Sequence, residues 1–222
     1  MKAFKLRASK GGVLLQNGKI GAGAKTYAEE WIISQLTGKK KRIDSKYLKS
    51  GIEREPDSIK RASKHFGVEL VKNELQLEND FFTGEFDTKT NDTIIDVKSS
   101  WDAFTFPFFM LKPDEKYVRQ LQIYLALTGF KKASLVYCLE NGTDDMVESL
   151  SWKIAKEQGA DEPDIEHWTL AEQELNYDHL DPTLRIKVFN FDRDNELIKN
   201  MEQSVLDLRK YIEVDLLTQL KF

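Results

Sequence analysis

Residues 84–102 read GEFDTKTNDTIIDVKSSWD. Within them, 93–99 has the composition of a strand, so Asp96 and Lys98 project from one face while Ile95 and Val97 turn to the core. Asp87 ends the preceding strand, and TKTND, residues 88–92, reads as the turn between the two. Paired through that turn, the strands bring Asp87 within reach of Asp96. Two carboxylates and an ammonium then share a polar patch at a sheet edge that is otherwise apolar. Like charges held that close are costly unless a cation neutralises them. Mg²⁺ takes oxygen ligands, usually one or two carboxylates with waters and substrate phosphate oxygens. Lys98 would bind a phosphate or help generate hydroxide from water. Taken alone, Asp-x-Lys is also an ordinary surface salt bridge.

Two features elsewhere give the triplet weight. Glu55, in GIEREP (51–56), sits on a helix beside a proline, where a third acid can face the same patch. Gln120 and Tyr124, in QLQIY, are one helical turn apart and share a face. Gln120 can donate to a phosphate or to a nucleophilic water. The pair reads equally as a capping or core-edge contact.

Around this centre, residues 26–36 predict a helix closed by Gly38 and the basic run Lys39, Lys40, Lys41 and Arg42. A second helix covers 45–66 and stops at Gly67, with a kink or a fresh first turn expected beside Glu55 because of Pro56. Strands are expected at 71–77, 81–87 and 93–99, and a helix from Pro113 to Leu127, ended by Gly129. Residues 133–139, ASLVYCL, are apolar on both faces, as in a covered central strand. A helical, acidic stretch follows Asp144, then a strand at 185–191 and a long closing helix at 194–217 with Ile198, Met201, Val205, Leu208 and Ile212 in register. Gly11, Gly12, Gly18, Gly21 and Gly23 mark a loop without the setting of a nucleotide-binding fingerprint. Strands between helices, with hairpins, imply one α/β or α+β domain over 1–222.

The ordered set of motifs resembles the PD-(D/E)xK nuclease superfamily, and within it the RecB-like and lambda-type phage recombination exonucleases. Gly51 and Glu55 match a GxxxE motif, residues 83–87 a small-residue approach to the first aspartate, and Asp96 and Lys98 the acid and lysine. Tyr117, Gln120 and Tyr124 match the glutamine helix. Asp96 stands where lambda-type enzymes carry glutamate, and Phe86 where proline is usual. The resemblance covers roughly residues 1–145.

It implies a restriction-endonuclease-like mixed sheet flanked by helices, with a core at about 45–145, a basic DNA-end-binding part before it and an acidic, mainly helical part after it. It implies two Mg²⁺ ions, with Mn²⁺ as substitute, held by Asp87, Asp96, Glu55 and the Val97 carbonyl. The activity implied is in-line hydrolysis of linear double-stranded DNA, 5′→3′, with Lys98 orienting the nucleophile and Gln120 supporting it. Arg7 and Ser9 match the pair that holds a 5′-phosphate end, at a different spacing; read locally, Ser9 is a helix N-cap. A single-strand annealing recombination protein and a ring of three subunits are the implied partners. Rival readings are an endonuclease or flap nuclease on the same core, and a non-catalytic DNA-binding module. The last would show a lost acid or lysine, and none is lost.

Composition narrows the field further. The 222 residues carry a net charge of −4, with 41% apolar and 32% charged residues, enough to fold a core. No apolar run approaches the roughly 18 residues of a membrane span, and none resembles a signal peptide. The expectation is a cytoplasmic protein, in a bacterial host cell if phage-encoded. The single cysteine, Cys138, excludes an internal disulfide framework, a four-cysteine zinc site and a cysteine-held iron–sulphur cluster. His65, His167 and His179 lack metal-ligand spacing, and the aromatic run at 101–109 reads as packing or as a wedge against a duplex end. The charge is unevenly spread: residues 1–50 net +9, 51–140 net −3 and 141–222 net −10. The basic run before Glu55 is the expected source of phosphate contacts.

Overall fold

A computed structural model describes residues 2–14, 19–41 and 46–220, with backbone alone at 46–50. Strand β5 (Thr93–Ser100) lies beside β6 (Lys132–Leu139) in parallel, and β6 pairs antiparallel with β7 (Ile186–Asp192). The short β4 (Thr88–Lys89) adds to the free side of β5, giving the order β4-β5-β6-β7. A second sheet joins β1 (Leu6–Arg7), β3 (Phe82–Gly84) and β2 (Leu77–Glu78), with β3 in the middle.

Helices cover both faces of the larger sheet, which is why β6 is apolar on both. On one side, α2 (Lys46–Phe66) sets Ile59 and Ala62 against Ile95, Val97, Val136 and Cys138. On the other, α3 (Glu115–Thr128) lays Leu121, Ile123 and Leu125 over Ile94, Leu135 and Leu139. The same cluster takes in Ala24, Ala28 and Ile32 of α1 (Ala22–Thr37) and Ile198, Met201, Val205 and Leu208 of α6 (Asn195–Tyr211). A satellite core joins α4 (Asp144–Glu157) to α5 (Ile165–Glu174) through Val147, Ala171 and Leu175. Asp114 caps α3 by accepting from Lys116 N, and Gly129 ends it at φ 78°. No helix among the described residues is long and apolar enough to cross a membrane.

The expected α/β architecture, with its mixed sheet and long closing helix, is therefore the one observed, and its local departures have physical reasons. Residues 71–76 form no strand. Val71 and Leu75 are exposed, and the backbone hydrogen bonds of this stretch go to the segment carrying Asp87 instead. The strand expected at 81–87 is split: Phe82–Gly84 belongs to the smaller sheet, and the hairpin partner of β5 is Thr88–Lys89. Its turn is correspondingly shorter, Thr90–Asp92, closed by a hydrogen bond from Thr90 N to Thr93 O at 2.9 Å.

Pro56 lies inside α2, which runs on without a break, its following turns held by buried Ser58, Ile59 and Ala62. Gly11 and Gly12 are not in an open loop. They sit in a 3₁₀ segment, Ala8–Leu14, where an added Cβ would lie 3.1 Å from Arg119 Cβ and 2.7 Å from Lys116 Cβ respectively. The closing helix changes to a π-helical turn at Ile212–Leu216. Of the aromatic run, Phe106 is buried, while Phe104 and Phe109 are almost wholly exposed.

Candidate active site

The length of β4 shapes the site. It pairs Thr88 with Ile95 and Lys89 with Ile94 and extends no further. Beyond Ile95 the outer edge of β5 has no strand partner among the described residues, and continuing the register would set Asp87 opposite Asp96. There the Asp87 side chain replaces a strand: its Oδ2 accepts the Val97 N–H at 2.7 Å. A buried N–H is thereby satisfied, and the carboxylate is pinned beside Asp96.

Asp96 is fully buried on the α3 face of β5. Its Oδ1 accepts from Gln120 Nε2 at 3.1 Å, and the same nitrogen donates to Tyr124 Oη at 2.8 Å. Lys98 Nζ stands 2.7 Å from Asp96 Oδ2 and forms an ion pair with it. The ammonium also lies 5.3 Å from the centre of the Tyr117 ring. Gln120 thus orients a carboxylate, and is not free to meet a phosphate as the sequence suggested.

The electrostatics are one-sided. Burial, then the Asp96 charge, push the Asp87 carboxyl up to about 8 against the opposing pull of Lys98 and the Val97 N–H. Burial works against the Lys98 charge, but Asp96 and Asp87 outweigh it and hold the ammonium above its ordinary value. Burial and Asp96 likewise keep the Tyr124 hydroxyl protonated. Two buried acids share one lysine, so Asp87 holds its proton well above the usual carboxylate range.

A cavity of about 270 Å³ opens onto this group, lined by Arg7, Ser9, Glu55, Lys72, Asp87 and Tyr124 among others. Gly84 lies in its wall, where an added Cβ would stand 2.9 Å from Ala8 Cβ and 3.0 Å from Tyr124 Cε1. Only glycine lets the N-terminal segment and α3 close there. Glu55 reaches the cavity from α2 and pairs with Lys72 at 3.0 Å, and that hydrogen bond raises the Lys72 ammonium above its ordinary value. Among the described residues no three acids converge on one point.

Asp87, Asp96, Lys98, Gln120 and Tyr124 therefore form one contacting group, and of these Asp87 and Tyr124 share the cavity wall with Glu55, Arg7 and Ser9. Ser9 lies within the 3₁₀ segment and does not cap a helix. The basic run does not join them: Lys39, Lys40 and Lys41 are exposed beyond α1, Lys41 pairs with Glu30 at 2.6 Å, and none lines the cavity. Arg42 lies outside the described residues. Of the histidines, His167 is buried in a capping box with Asp164 at the start of α5. Cys138 is core, its thiol pushed up to about 12 by burial. Gly84 belongs to the small-residue approach read at 83–87, whereas Lys72 does not stand out from the sequence. Lys72 carries no local signal, being one lysine in an irregular stretch.

A mixed sheet that offers Asp87 and the Asp96-x-Lys98 pair at one edge, between a helix bearing Glu55 and a helix bearing Gln120, defines the PD-(D/E)xK fold. Within that class the chain has the lambda-exonuclease-like form. It is similar over 99% of its length to a phage related exonuclease from Haemophilus somnus 129PT, covering 98% of that chain at 27% identity and a TM-score of 0.78. It is also similar to an alkaline exonuclease, LHK-Exo, from Laribacter hongkongensis, at 18% identity and a TM-score of 0.69 over 98% of this chain and 92% of the other. LHK-Exo in complex with dAMP superposes over 95% of this chain and 89% of its own, at 19% identity and a TM-score of 0.67. No protein-family model matches the chain. No curated protein matches it either.

Proposed function

We propose that the protein is a divalent-metal-dependent DNA exonuclease that degrades linear duplex DNA from its ends, 5′→3′, leaving single strands for homologous recombination. The observation that carries this is the pinned Asp87–Asp96 pair beside Lys98, in a fold shared with a phage related exonuclease. The donor set fits hard cations: the carboxylates of Asp87 and Asp96 are oxygen ligands, and among the described residues these two buried acids share the single ammonium of Lys98. Asp87, Asp96 and the Val97 carbonyl, joined by Glu55, would hold two Mg²⁺ ions or Mn²⁺ in their place. When bound, such ions supply Lewis-acid polarisation of the scissile phosphate and lower the pKa of water.

The remaining work falls to side chains of this protein. Lys98, held charged by its neighbours, donates to the phosphate oxygen on which negative charge develops. Gln120 fixes the Asp96 carboxylate, and Tyr124, bonded to Gln120, locks that amide in turn. Arg7 and Ser9, on the wall of the same cavity, bind the terminal 5′-phosphate. A ring of three subunits around the duplex, a single-strand annealing partner and a cytoplasmic setting complete the reading.

The test is digestion of end-labelled linear duplex with Mg²⁺, comparing 5′-phosphate with 5′-hydroxyl ends and with covalently closed circles. Linear DNA should be consumed, faster from 5′-phosphate ends, and circles left intact. Cut circles would point to an endonuclease on the same core, and intact linear DNA would overturn the nuclease reading.

A further inference from the structure

Among the described residues, Lys72 is the one cation besides Arg7 on the wall of the cavity, and it is paired with Glu55. Its neighbours hold it there. Val71 O accepts the Thr88 hydroxyl at 2.7 Å, Asn73 N donates to Asp87 O at 2.7 Å, and Asn73 Nδ2 donates to Phe86 O at 3.1 Å. The backbone on both sides of Lys72 is thus stitched to the segment bearing the first aspartate. The side chain is freer: 45% of its surface is exposed, against 19% for Glu55. Glu55 accordingly faces Lys72 and does not converge with Asp87 and Asp96 on one point.

We infer that Lys72 is a built-in counter-ion which competes with a divalent cation for Glu55 and, once displaced, binds a DNA phosphate in the same cavity. The proposal rests on the nuclease reading above. Lys72 holds one oxygen of the Glu55 carboxylate, Oε1, and its charge repels a divalent cation that approaches the same group. Lysine suits the exchange because its charge is compact and its four-carbon stem flexible, so Nζ moves while the backbone stays fixed. The displaced ammonium remains on a wall shared with Arg7 and Ser9, where a phosphate is the anion that would meet it.

The experiment uses metal-stripped full-length wild type, Lys72→Met and Lys72→Arg. Thermal unfolding is followed across a Mg²⁺ titration without DNA, and steady-state digestion of linear duplex is measured separately. In Lys72→Met the Mg²⁺ midpoint should fall by about fivefold, the scale of one part-exposed ion pair, while KM for DNA rises by a similar factor. Lys72→Arg should restore KM. A folded Lys72→Met protein with an unchanged or higher Mg²⁺ midpoint overturns the proposal, as does a lower melting temperature at every Mg²⁺ concentration with no change of midpoint. Should Lys72→Met fail to fold, Lys72→Gln carries the same comparison. A wild type that neither responds to Mg²⁺ nor digests DNA sinks the nuclease reading itself, whereas a responsive, active wild type beside an unaltered variant sinks only the role of Lys72.

Discussion

Asp87, Asp96 and Lys98 reach one another by three different means: a side chain bonded to the backbone, a buried strand position, and a long stem returning along its own strand. Because Lys98 and Asp96 alternate with core residues on β5, neither can turn away without dragging the sheet. Lys98→Ala should therefore leave the fold intact while lowering kcat on linear duplex by about a hundredfold or more, the usual effect of removing a group aimed at developing charge. Far-UV circular dichroism and a digestion time course check both halves. Retained digestion by the pure variant would remove Lys98 from the chemistry. Gln120 is a milder case, since its amide acts through Asp96.

Elements were legible where they were long enough to show a period. β5, β6, β7, α3 and the closing helix stand within two residues of where periodicity and caps set them, apart from the π-helical turn at its end. The smaller sheet was not legible, because its strands are two or three residues long and no alternation can be read over so few positions. The site followed the same division. Asp96-x-Lys98 lies on a strand eight residues long and was readable, whereas Lys72 enters through backbone hydrogen bonds between irregular segments that no local pattern encodes. Gly84 tests the smaller sheet directly. Gly84→Ala inserts a methyl 2.9 Å from Ala8 Cβ and 3.0 Å from Tyr124 Cε1, and should cost about 1–3 kcal/mol by overpacking. Chemical denaturation measures the loss. An unchanged midpoint would mean that the N-terminal segment gives way freely.

For the molecule as a whole, charge distribution matters more than the net −4. The basic N-terminal third contributes Arg7 to the cavity, but Lys39–Lys41 lie away from it, so density of charge along the chain did not predict position in space. Outside the cavity lining, buried Glu140 is clasped by Arg61 at 2.7 and 2.9 Å and links α2 to the end of β6, a frame that does not depend on any bound ion. The fold should accordingly survive chelation while digestion stops. Mg²⁺ should raise the melting temperature of the stripped protein by mass action, and Asp96→Asn should remove that increment. A metal response that persists in Asp96→Asn would place the ion elsewhere.

The two-residue β4 has a further consequence. A strand edge with unsatisfied N–H groups invites another chain to pair with it, and here one carboxylate stands guard over that edge. On the proposed function, the side chain that covers this edge is also the one that serves the chemistry. Asp87→Ala should do more than silence digestion: it should also make the protein self-associate through the β5 edge that the carboxylate covers, seen as concentration-dependent growth in light scattering that Asp87→Asn, still able to accept the Val97 N–H, does not show.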